Sequence, residues 1–507
     1  MQFADTLFVI IRHKVQGIHL ENRLTKKRFR TAGLAIALLY TALYGCATNP
    51  VTGESDFVLM SEEQEIQLGR QSHEQIMKQY QTYDDPALQA YVNRLGEELA
   101  TRSHRDNLIF RFTVLDSPMV NAFALPGGYI YITRGILAYM NSEAHLAGVL
   151  GHEIGHVTAR HSVRQHSTST VLGVLSAVAA AGTGSQAVGD LSSMAGNALV
   201  SGYGRGMELE ADRLGAEYLA RTGYDPEDMI GVVGILKAQE QFELQRAREE
   251  QRNPRVYHGL FASHPQNDQR LQEVVKAANR FKDSAQRKPG DNDEFLRHIH
   301  GLVYGPGESQ GVIRGNRFYH KKLDFTVEFP DRWRIENSPK ALLAYSPAND
   351  SVVQLSLEDL NRRESPEEFL RSKFSDLKQG QSFSADGYQA YSGLTTKLNT
   401  PFGRRPTRVA AVFASKRAFV LVGASKSGVI TEPFTNTVRS FRRLRSDEQE
   451  LAKSRNLRVI TARPGDTFEK LAARSKLGSY AEEQLRLLNG KYPQGEPTPG
   501  QPIKIVE

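Results

Sequence analysis

Residues 146–161, LAGVLGHEIGHVTARH, restrict the fold of this chain more than any other stretch. Apolar residues recur there at helical spacing, which predicts a helix with one buried side that begins near Ser142. These apolar positions are Leu146, Val149, Leu150 and Val157. His152 and His156 lie four residues apart, so on a helix they project from one face.

The pattern His152, Glu153, His156 predicts a zinc site. Two imidazoles one helical turn apart can share a tetrahedral ion, and the glutamate between them can take a proton from a water molecule that the metal activates. The alternative is a surface helix with two ordinary histidines, because three fixed letters in five also arise by chance. The rest of the chain has to decide between these interpretations.

A third metal ligand is needed, because catalytic zinc has three protein ligands and an open position. In MELEADR, Glu208 and Asp212 share a helix face, whereas Glu210 points elsewhere. Glu208 could bind the metal, and Asp212 could orient a ligand histidine. The alternative is a solvated acidic helix face, which the spacing alone does not exclude.

Three motifs in order, VLGHEIGHVTARH, GMELEADRLGAEYL and SHPQNDQR, resemble the zinc metallopeptidases of the HtpX and CaaX-prenyl-protease family (peptidase family M48), especially its soluble periplasmic BepA-like branch. The likeness runs from about Ser61 to Arg280 and includes SPMVNAFALPGGYIYITRGIL. Unlike the membrane-embedded members, this region has no apolar run long enough to span a bilayer. Unlike the BepA-like branch, the chain shows no obvious helical repeat after it.

The resemblance implies one zinc ion and assigns its ligands. They are His152, His156 and Glu208. It also implies that Glu153 is the general base and that Asp212 supports a ligand from outside the metal's own shell. The fold class that it implies is a mainly helical zincin (gluzincin) domain with a small sheet, within an α+β multidomain chain.

His264 and Arg270 match the later His-Pro motif of the family. The resemblance implies that His264 lies near the metal, as an inhibitory ligand or a transition-state donor, and that Arg270 supports it. The alternative is a helix-capping turn and a surface arginine. His145 and His161 also flank the site, and we interpret both as ordinary polar positions.

Two strand patterns, LIFRFTVLD and GGYIYITRG, precede the predicted metal helix. An edge strand beside the metal can hold an extended peptide by backbone pairing. We expect Asn121, Ala122 and Phe123 to form this substrate strand. The composition of residues 167–206, rich in Gly, Ala and Ser, suggests a lid over the cleft, with a packed helical hairpin as the alternative.

A chain of 507 residues is too long for one ordinary core, and its length predicts about three domains. The predicted segments are 1–45 (N-terminal extension and export signal), 46–60 (tether), 61–280 (zinc metalloprotease domain), 281–310 (linker), 311–445 (α+β accessory domain) and 457–507 (C-terminal module). The accessory domain shows no constellation of metal ligands, nucleophile or phosphate-binding residues, and its pattern resembles the PsbP or Mog-like fold.

The C-terminal segment predicts a strand, two short helices and a strand, and it resembles a LysM module. That resemblance implies a partner, the glycan chains of peptidoglycan. Phe468 stands where leucine is usual, and a small docking domain without sugar affinity is the alternative.

The positive charge is concentrated at the N-terminus. Residues 1–45 hold seven of the 64 Lys and Arg residues and two of the 57 acidic residues, so the remainder is nearly balanced and predicts no nucleic-acid partner. A basic cluster precedes the apolar run TAGLAIALLYTALYG and then Cys46, the only cysteine, which is typical of an exported lipoprotein. An uncleaved anchor and a plain buried thiol are alternatives, and translation from about Leu24 is a further hypothesis.

We therefore expect a lipid-anchored protease on the periplasmic face of the bacterial outer membrane. Ala47, in place of aspartate, favours the outer over the inner membrane by resemblance. Its expected substrates are misfolded or misassembled envelope proteins, with the envelope assembly machinery as a possible partner. The alternatives are a hydrolase of peptidoglycan peptides and a zinc-stabilised chaperone-like scaffold.

Overall fold

The structure, a computed structural model, describes residues 46–170, 203–250, 254, 268–281, 292–338, 341–360 and 364–507. In this part of the chain, no helix combines the length and apolar character that crossing a bilayer requires.

The first region is mainly helical and contains a short hairpin and one small sheet. Its elements are β1 (Cys46–Thr48), β2 (Ser55–Phe57), α1 (Glu62–Gln79), α2 (Pro86–Ala100), β3 (Arg111–Leu115), β4 (Ala122–Leu125), β5 (Tyr129–Thr133), α3 (Arg134–Leu137), α4 (Glu143–Thr158), α5 (Arg205–Thr222), α6 (Asp228–Glu249) and α7 (Asp268–Phe281). Residues 161–170 are also helical.

Helix α4 begins where the sequence predicts. Ser142 is its N-cap, and the Ser142 hydroxyl accepts a hydrogen bond from the His145 backbone N–H at 3.0 Å. Ser61 caps α1 with a capping box that includes Gln64. The predicted start of α4 near Ser142 is confirmed, because local capping chemistry determines it.

The sheet has the order β3-β5-β4, with β3 and β5 parallel and β4 antiparallel to β5. Phe123 and Tyr131 pack with α1 on one face, and Ile130 and Ile132 join the main core on the other. Among the described residues β4 pairs only with β5, so β4 is an edge strand.

Helices α4 and α5 approach each other closely through small residues. A Cβ atom added to Gly155 would lie 3.1 Å from the Ala211 carbonyl oxygen, and one added to Gly151 would lie 3.4 Å from the Gly215 Cα. Larger residues at these positions would force the helices apart. The close approach brings Glu208, on α5, beside the two histidines of α4.

Part of the segment that we expected to be a linker is folded onto the first region. Residues Asn292–Ile299 form helix α8, and β6 (Val303–Tyr304) follows. Phe295, Leu296 and Ile299 recur at helical spacing and are buried in the main core. This apolar face explains why residues 292–299 pack instead of forming irregular chain.

The second region is rich in antiparallel strands. Its elements are β7 (Val312–Arg314), β8 (Arg317–His320), β9 (Phe325–Glu328), β10 (Arg334–Asn337), β11 (Leu342–Tyr345), β12 (Ser351–Asp359), α9 (Pro366–Lys373), β13 (Lys378–Ala385), β14 (Tyr388–Thr395), β15 (Asn399–Thr400), β16 (Gly403–Arg404), β17 (Thr407–Ala414), β18 (Arg417–Ser425) and α10 (Glu432–Arg439). A seven-stranded sheet has the order β10-β11-β12-β18-β17-β14-β13, and β7, β8 and β9 form a separate small sheet.

The C-terminal segment has the predicted order of a strand, two helices and a strand. These elements are β19 (Arg455–Thr461), α11 (Phe468–Ala472), α12 (Ala481–Leu488) and β20 (Pro502–Val506), with β19 and β20 antiparallel. Its likeness to a LysM module stays a prediction.

The C-terminal segment packs directly on the first region. Phe468, Leu485 and Val506 belong to the same hydrophobic core as α4. The buried Lys504 Nζ donates hydrogen bonds to the carbonyl oxygens of Ala138 and Met140, at 2.7 and 2.6 Å. The start of α4 is therefore held in part by the C-terminal strand.

Candidate metal centre

His152, His156 and Glu208 form a compact, buried cluster. One donor atom from each lies within 4.8 Å of the others. The Nε2 atoms of the two histidines are 3.0 Å apart, and they lie 3.6 and 3.5 Å from the Glu208 carboxylate oxygens. The sequence-predicted ligand set is thus assembled at one point between α4 and α5.

The chemistry of this donor set fits a divalent cation. Two imidazoles and a carboxylate are the ligand types of catalytic zinc. Glu153, Glu208 and Asp212 are fully or almost fully buried, and the buried Arg270 contacts this group. Counted over these four described residues, and with both histidines neutral, three carboxylates and one guanidinium leave an excess of two negative charges, which a divalent ion would offset.

His152 is oriented by Asp212. The His152 Nδ1 lies 2.9 Å from an Asp212 carboxylate oxygen, so the Nε2 is left for the metal. Burial disfavours the charged form of Asp212, but the charge of Arg270 and the hydrogen bonds from His152 and Arg270 outweigh burial and lower the pKa of Asp212 to about 2. Asp212 therefore lies where the supporting role predicted for it requires.

Arg270 contacts two carboxylates. Its Nε and Nη2 atoms donate to Asp212, each at 2.7 Å, and its Nη1 lies 3.0 Å from Glu208. It is 2% exposed, so the surface-arginine alternative does not describe its position. Its predicted contact with His264 falls outside the described residues.

His161, which we interpreted as an ordinary polar residue, contacts a candidate ligand. Its Nδ1 lies 2.8 Å from the His156 Nδ1, and its Nε2 lies 3.0 Å from a Glu210 carboxylate oxygen. The Arg164 Nη1 donates to the same Glu210 oxygen at 2.9 Å. His156, His161 and Glu210 thus form a chain of polar contacts that the sequence analysis missed.

A local backbone feature brings His161 to His156. Helix α4 ends at Thr158, and Arg160 has a φ of 54°. A positive φ is uncommon for arginine, and here it interrupts the helical backbone between α4 and the helical residues 161–170. Asn and Gly mark such positions in a sequence, and their absence here explains why spacing arguments did not find this contact.

A buried ion cluster holds the end of α4. Glu65, on α1, accepts from the Arg105 Nη1 at 2.7 Å and from the Arg160 Nε at 2.8 Å. Arg105 also donates to the Val157 carbonyl oxygen at 3.2 Å. These arginines place positive charge at the C-terminus of α4, where the helix dipole favours it.

Tyr203 covers one side of the cluster. Its ring stacks on His156 with centroids 4.0 Å apart, and its hydroxyl lies 2.7 Å from the Ser162 hydroxyl. Burial raises the pKa of Tyr203, and the nearby charges of Glu153 and Glu208 raise it further. Most of the predicted lid, residues 171–202, lies outside the described residues.

The predicted substrate strand lies beside the site. Ala122 and Phe123 belong to β4, and Asn121 directly precedes it. At the C-terminal end of β4, Ala124 and Leu125 line a small cavity with His156, together with Pro126. The side chain of Cys46, residues 1–45 and His264 lie outside the described residues.

The sequence is similar to those of known peptidases. The profile of Peptidase family M48 matches residues 86–278. The beta-barrel assembly-enhancing protease of Escherichia coli (strain K12) is 30% identical over 354 residues, which cover 64% of this chain and 69% of that protein. The chain belongs to peptidase family M48. It is a metalloprotease.

Two further matches cover smaller parts of this chain. A mitochondrial metalloendopeptidase of Arabidopsis thaliana is 34% identical over 149 residues, which cover 29% of this chain and 30% of that protein. The solution structure of the cyanobacterial PsbP protein from Synechocystis sp. PCC 6803 covers 26% of this chain and 95% of that chain, at 12% identity and a TM-score of 0.21. The likeness of the second region to the PsbP fold stays a prediction.

Proposed function

We propose that this metalloprotease is a zinc-dependent endopeptidase of the bacterial cell envelope that cleaves misfolded or misassembled envelope proteins. The buried cluster of His152, His156 and Glu208 carries the proposal. It offers three ligands for one zinc ion, and the positive charge of the ion would offset the negative charge buried there. The relatives named as beta-barrel assembly-enhancing proteases support an envelope context and the envelope assembly machinery as a partner.

Bound zinc would supply Lewis acidity that polarises a peptide carbonyl and activates water. Glu153 is buried beside His152, and it lines a small cavity with Asp212 and Arg270. In the proposed reaction its carboxylate accepts a proton from the attacking water and passes it to the nitrogen of the leaving amine. Asp212 and Arg270 keep His152 and Glu208 in position throughout.

The location is part of the proposal. We infer export by residues 1–45, a lipid on Cys46 and attachment to the periplasmic face of the outer membrane, on the basis of the basic cluster, apolar run and lone cysteine. Metabolic labelling with a palmitate analogue, followed by membrane fractionation, tests this. A labelled wild-type protein and an unlabelled Cys46→Ser variant are expected, and label on both proteins would contradict it.

Proteolysis by the purified chain tests the activity. The zinc-loaded protein is incubated with a reduced, unfolded protein and, separately, with peptidoglycan, each with and without chelator. We expect chelator-sensitive fragments from the protein substrate only. Because an inhibitory ligand is one of the two roles that the resemblance implies for His264, the same assay includes His264→Ala, and no fragments from either form would contradict the proposal.

Glu153→Gln separates the chemistry from metal binding. This variant is expected to retain zinc and to lose about 10²-fold or more in rate, because the proton acceptor is removed. Glu217→Gln, on the opposite side of α5 from Glu208, is the control and should cleave normally. If the wild-type protein releases peptides from peptidoglycan but does not cleave the unfolded protein, the cell-wall hydrolase is favoured instead.

A further inference from the structure

A large cavity separates the first and second regions. Its volume is about 540 Å³. One wall consists of the end of α1, residues 77–81, and the turn at residues 116–119. The other wall is the face of the second region that carries Phe318, Phe325 and Phe419.

Edge strand β4 connects this cavity with the candidate metal centre. Ala124, Leu125 and Pro126, at one end, share a small cavity with His156. The turn at residues 116–119, which leads into the other end, lines the large cavity. The four residues of β4 span roughly 13 Å at 3.3 Å per residue.

We propose that this cavity is a substrate subsite, which takes a large apolar side chain of an extended protein segment about four to six residues from the bond that is cleaved. The inference rests on the proposed function, in which β4 holds the substrate by backbone pairing. A segment paired along β4 beside His156 reaches the cavity as it passes the beginning of the strand.

The chemistry of the cavity favours an apolar occupant. Phe325 and Phe419 are 4% and 2% exposed and form an aromatic floor. Burial, reinforced by the charge of Lys322, lowers the pKa of His320 to about 4, so its ring is neutral at neutral pH. Such pockets bind apolar side chains, with selectivity set by a few polar groups.

The charged groups of the cavity are paired or lie at its rim. The Asp116 carboxylate accepts a hydrogen bond from the Arg134 Nε at 2.6 Å, and Lys78 is exposed. The described residues that line the cavity therefore do not favour a charged ligand over an apolar one. The backbone of an extended peptide can remain in contact with water at the rim while one side chain enters.

One short peptide and a series of long peptides, all with the same cleaved sequence, test the proposal on the whole zinc-loaded chain. The short peptide has about six residues, and each long peptide has about fourteen, with phenylalanine at one of several successive positions and serine at the others. For the wild-type protein we expect kcat/KM to be about 10- to 100-fold higher when phenylalanine stands where it can reach the cavity. Equal values at every position would overturn the proposal.

Ala341→Trp fills the cavity from the second region, and Ala348→Trp, in an exposed turn of the same region, is its matched control. Ala341→Trp should abolish the phenylalanine advantage and cleave the six-residue peptide normally, whereas Ala348→Trp should behave like the wild type. Ala341→Trp that keeps the advantage would overturn the subsite.

Met119→Glu provides a second test from the opposite wall, where a charge would oppose entry of an apolar side chain. It should reduce the phenylalanine advantage with the short peptide unaffected, and an unchanged advantage would count against the subsite. If the wild-type protein cleaves neither peptide, the proposed function itself fails. Cleavage of both without a positional preference rejects only the subsite.

Discussion

The Nδ1 atoms of His156 and His161 lie 2.8 Å apart, and this contact determines where both rings carry their protons. If the Nε2 of His156 binds the metal, the Nδ1 of that neutral ring carries the proton and donates a hydrogen bond to the Nδ1 of His161. His161 then carries its own proton on Nε2, which lies 3.0 Å from Glu210. Each contact in the chain is satisfied with one proton per ring.

Removing the charge of Glu210, the last residue in this series of polar contacts, should weaken zinc binding. In Glu210→Gln the acceptor for His161 loses its charge, so His161 and His156 are held less firmly, and we expect zinc affinity to fall about 10- to 100-fold. Competition with a chromogenic chelator measures it. Glu217→Gln, on the same helix and paired with Arg213 and Arg221, should match the wild type. An unchanged affinity in Glu210→Gln would show that the contacts from His156 through His161 to Glu210 do not support metal binding.

Arg270→Met should destabilise the zinc-free protein more than the zinc-loaded protein. Without the guanidinium, Asp212 and Glu208 are left as buried carboxylates, at a cost of about 3–5 kcal/mol. Zinc offsets part of this charge, so the difference in Tm between the two forms should widen. Arg213→Met, at a more exposed position on α5, is the control. An equal loss of Tm with and without zinc would argue against this compensation.

Glu65→Gln should reduce the free energy of unfolding of the first region by about 3–5 kcal/mol. The substitution preserves shape but leaves the buried Arg105 and Arg160 without the charge that both contact. Denaturant unfolding measures the loss. Glu74→Gln, exposed on the same helix, should change the free energy by less than about 0.5 kcal/mol. Similar effects of the two substitutions would contradict a stabilising role of the buried ion cluster.

Stability should fall as the pH drops from about 6.5 to about 4, and His320 should contribute to that loss. The folded-state pKa of His320, about 4, lies below the ordinary value of 6.5, so the unfolded state binds more protons within this window. The contribution is at most about 3 kcal/mol. His145, whose pKa burial and Lys504 lower to about 4, should add a similar dependence.

His320→Gln tests that contribution by thermal unfolding across the same pH range. The variant should lose less Tm between pH 6.5 and 4 than the wild-type protein, with the remaining dependence shared by His145 and other groups. If the two proteins show the same pH dependence, His320 does not titrate in this way.

The parts of the site that lie within single helices could be predicted from the sequence. The spacing of His152 and His156, and of Glu208 and Asp212, fixes which side chains share a face, because helix geometry is local. The meeting of these two pairs depends on how closely α4 and α5 pack, and no single helix encodes that distance. The expectation that the two pairs meet came from the resemblance to known peptidases.

The parts that depend on the path of the chain between elements escaped prediction. Glu210 is not among the three candidate ligands, as its spacing indicates. It contacts His161 instead, because the backbone turns at Arg160 and places His161 on that side of α5. The helical character of residues 292–299 was present in their apolar spacing, but the surrounding polar residues suggested a linker. Neither the cavity between the regions nor the burial of Lys504 has a signature in local sequence.

The position of β20 has a consequence for the order of assembly. The core around α4 includes Val506, and the turn before α4 is bonded by Lys504, so more than 340 residues of chain separate partners that must meet. A chain synthesised only through the second region would therefore expose apolar surface at the start of the metal helix. Full protection of that surface comes only after β20 has been translated and docked, so the core around α4 cannot be completed before this segment has been synthesised.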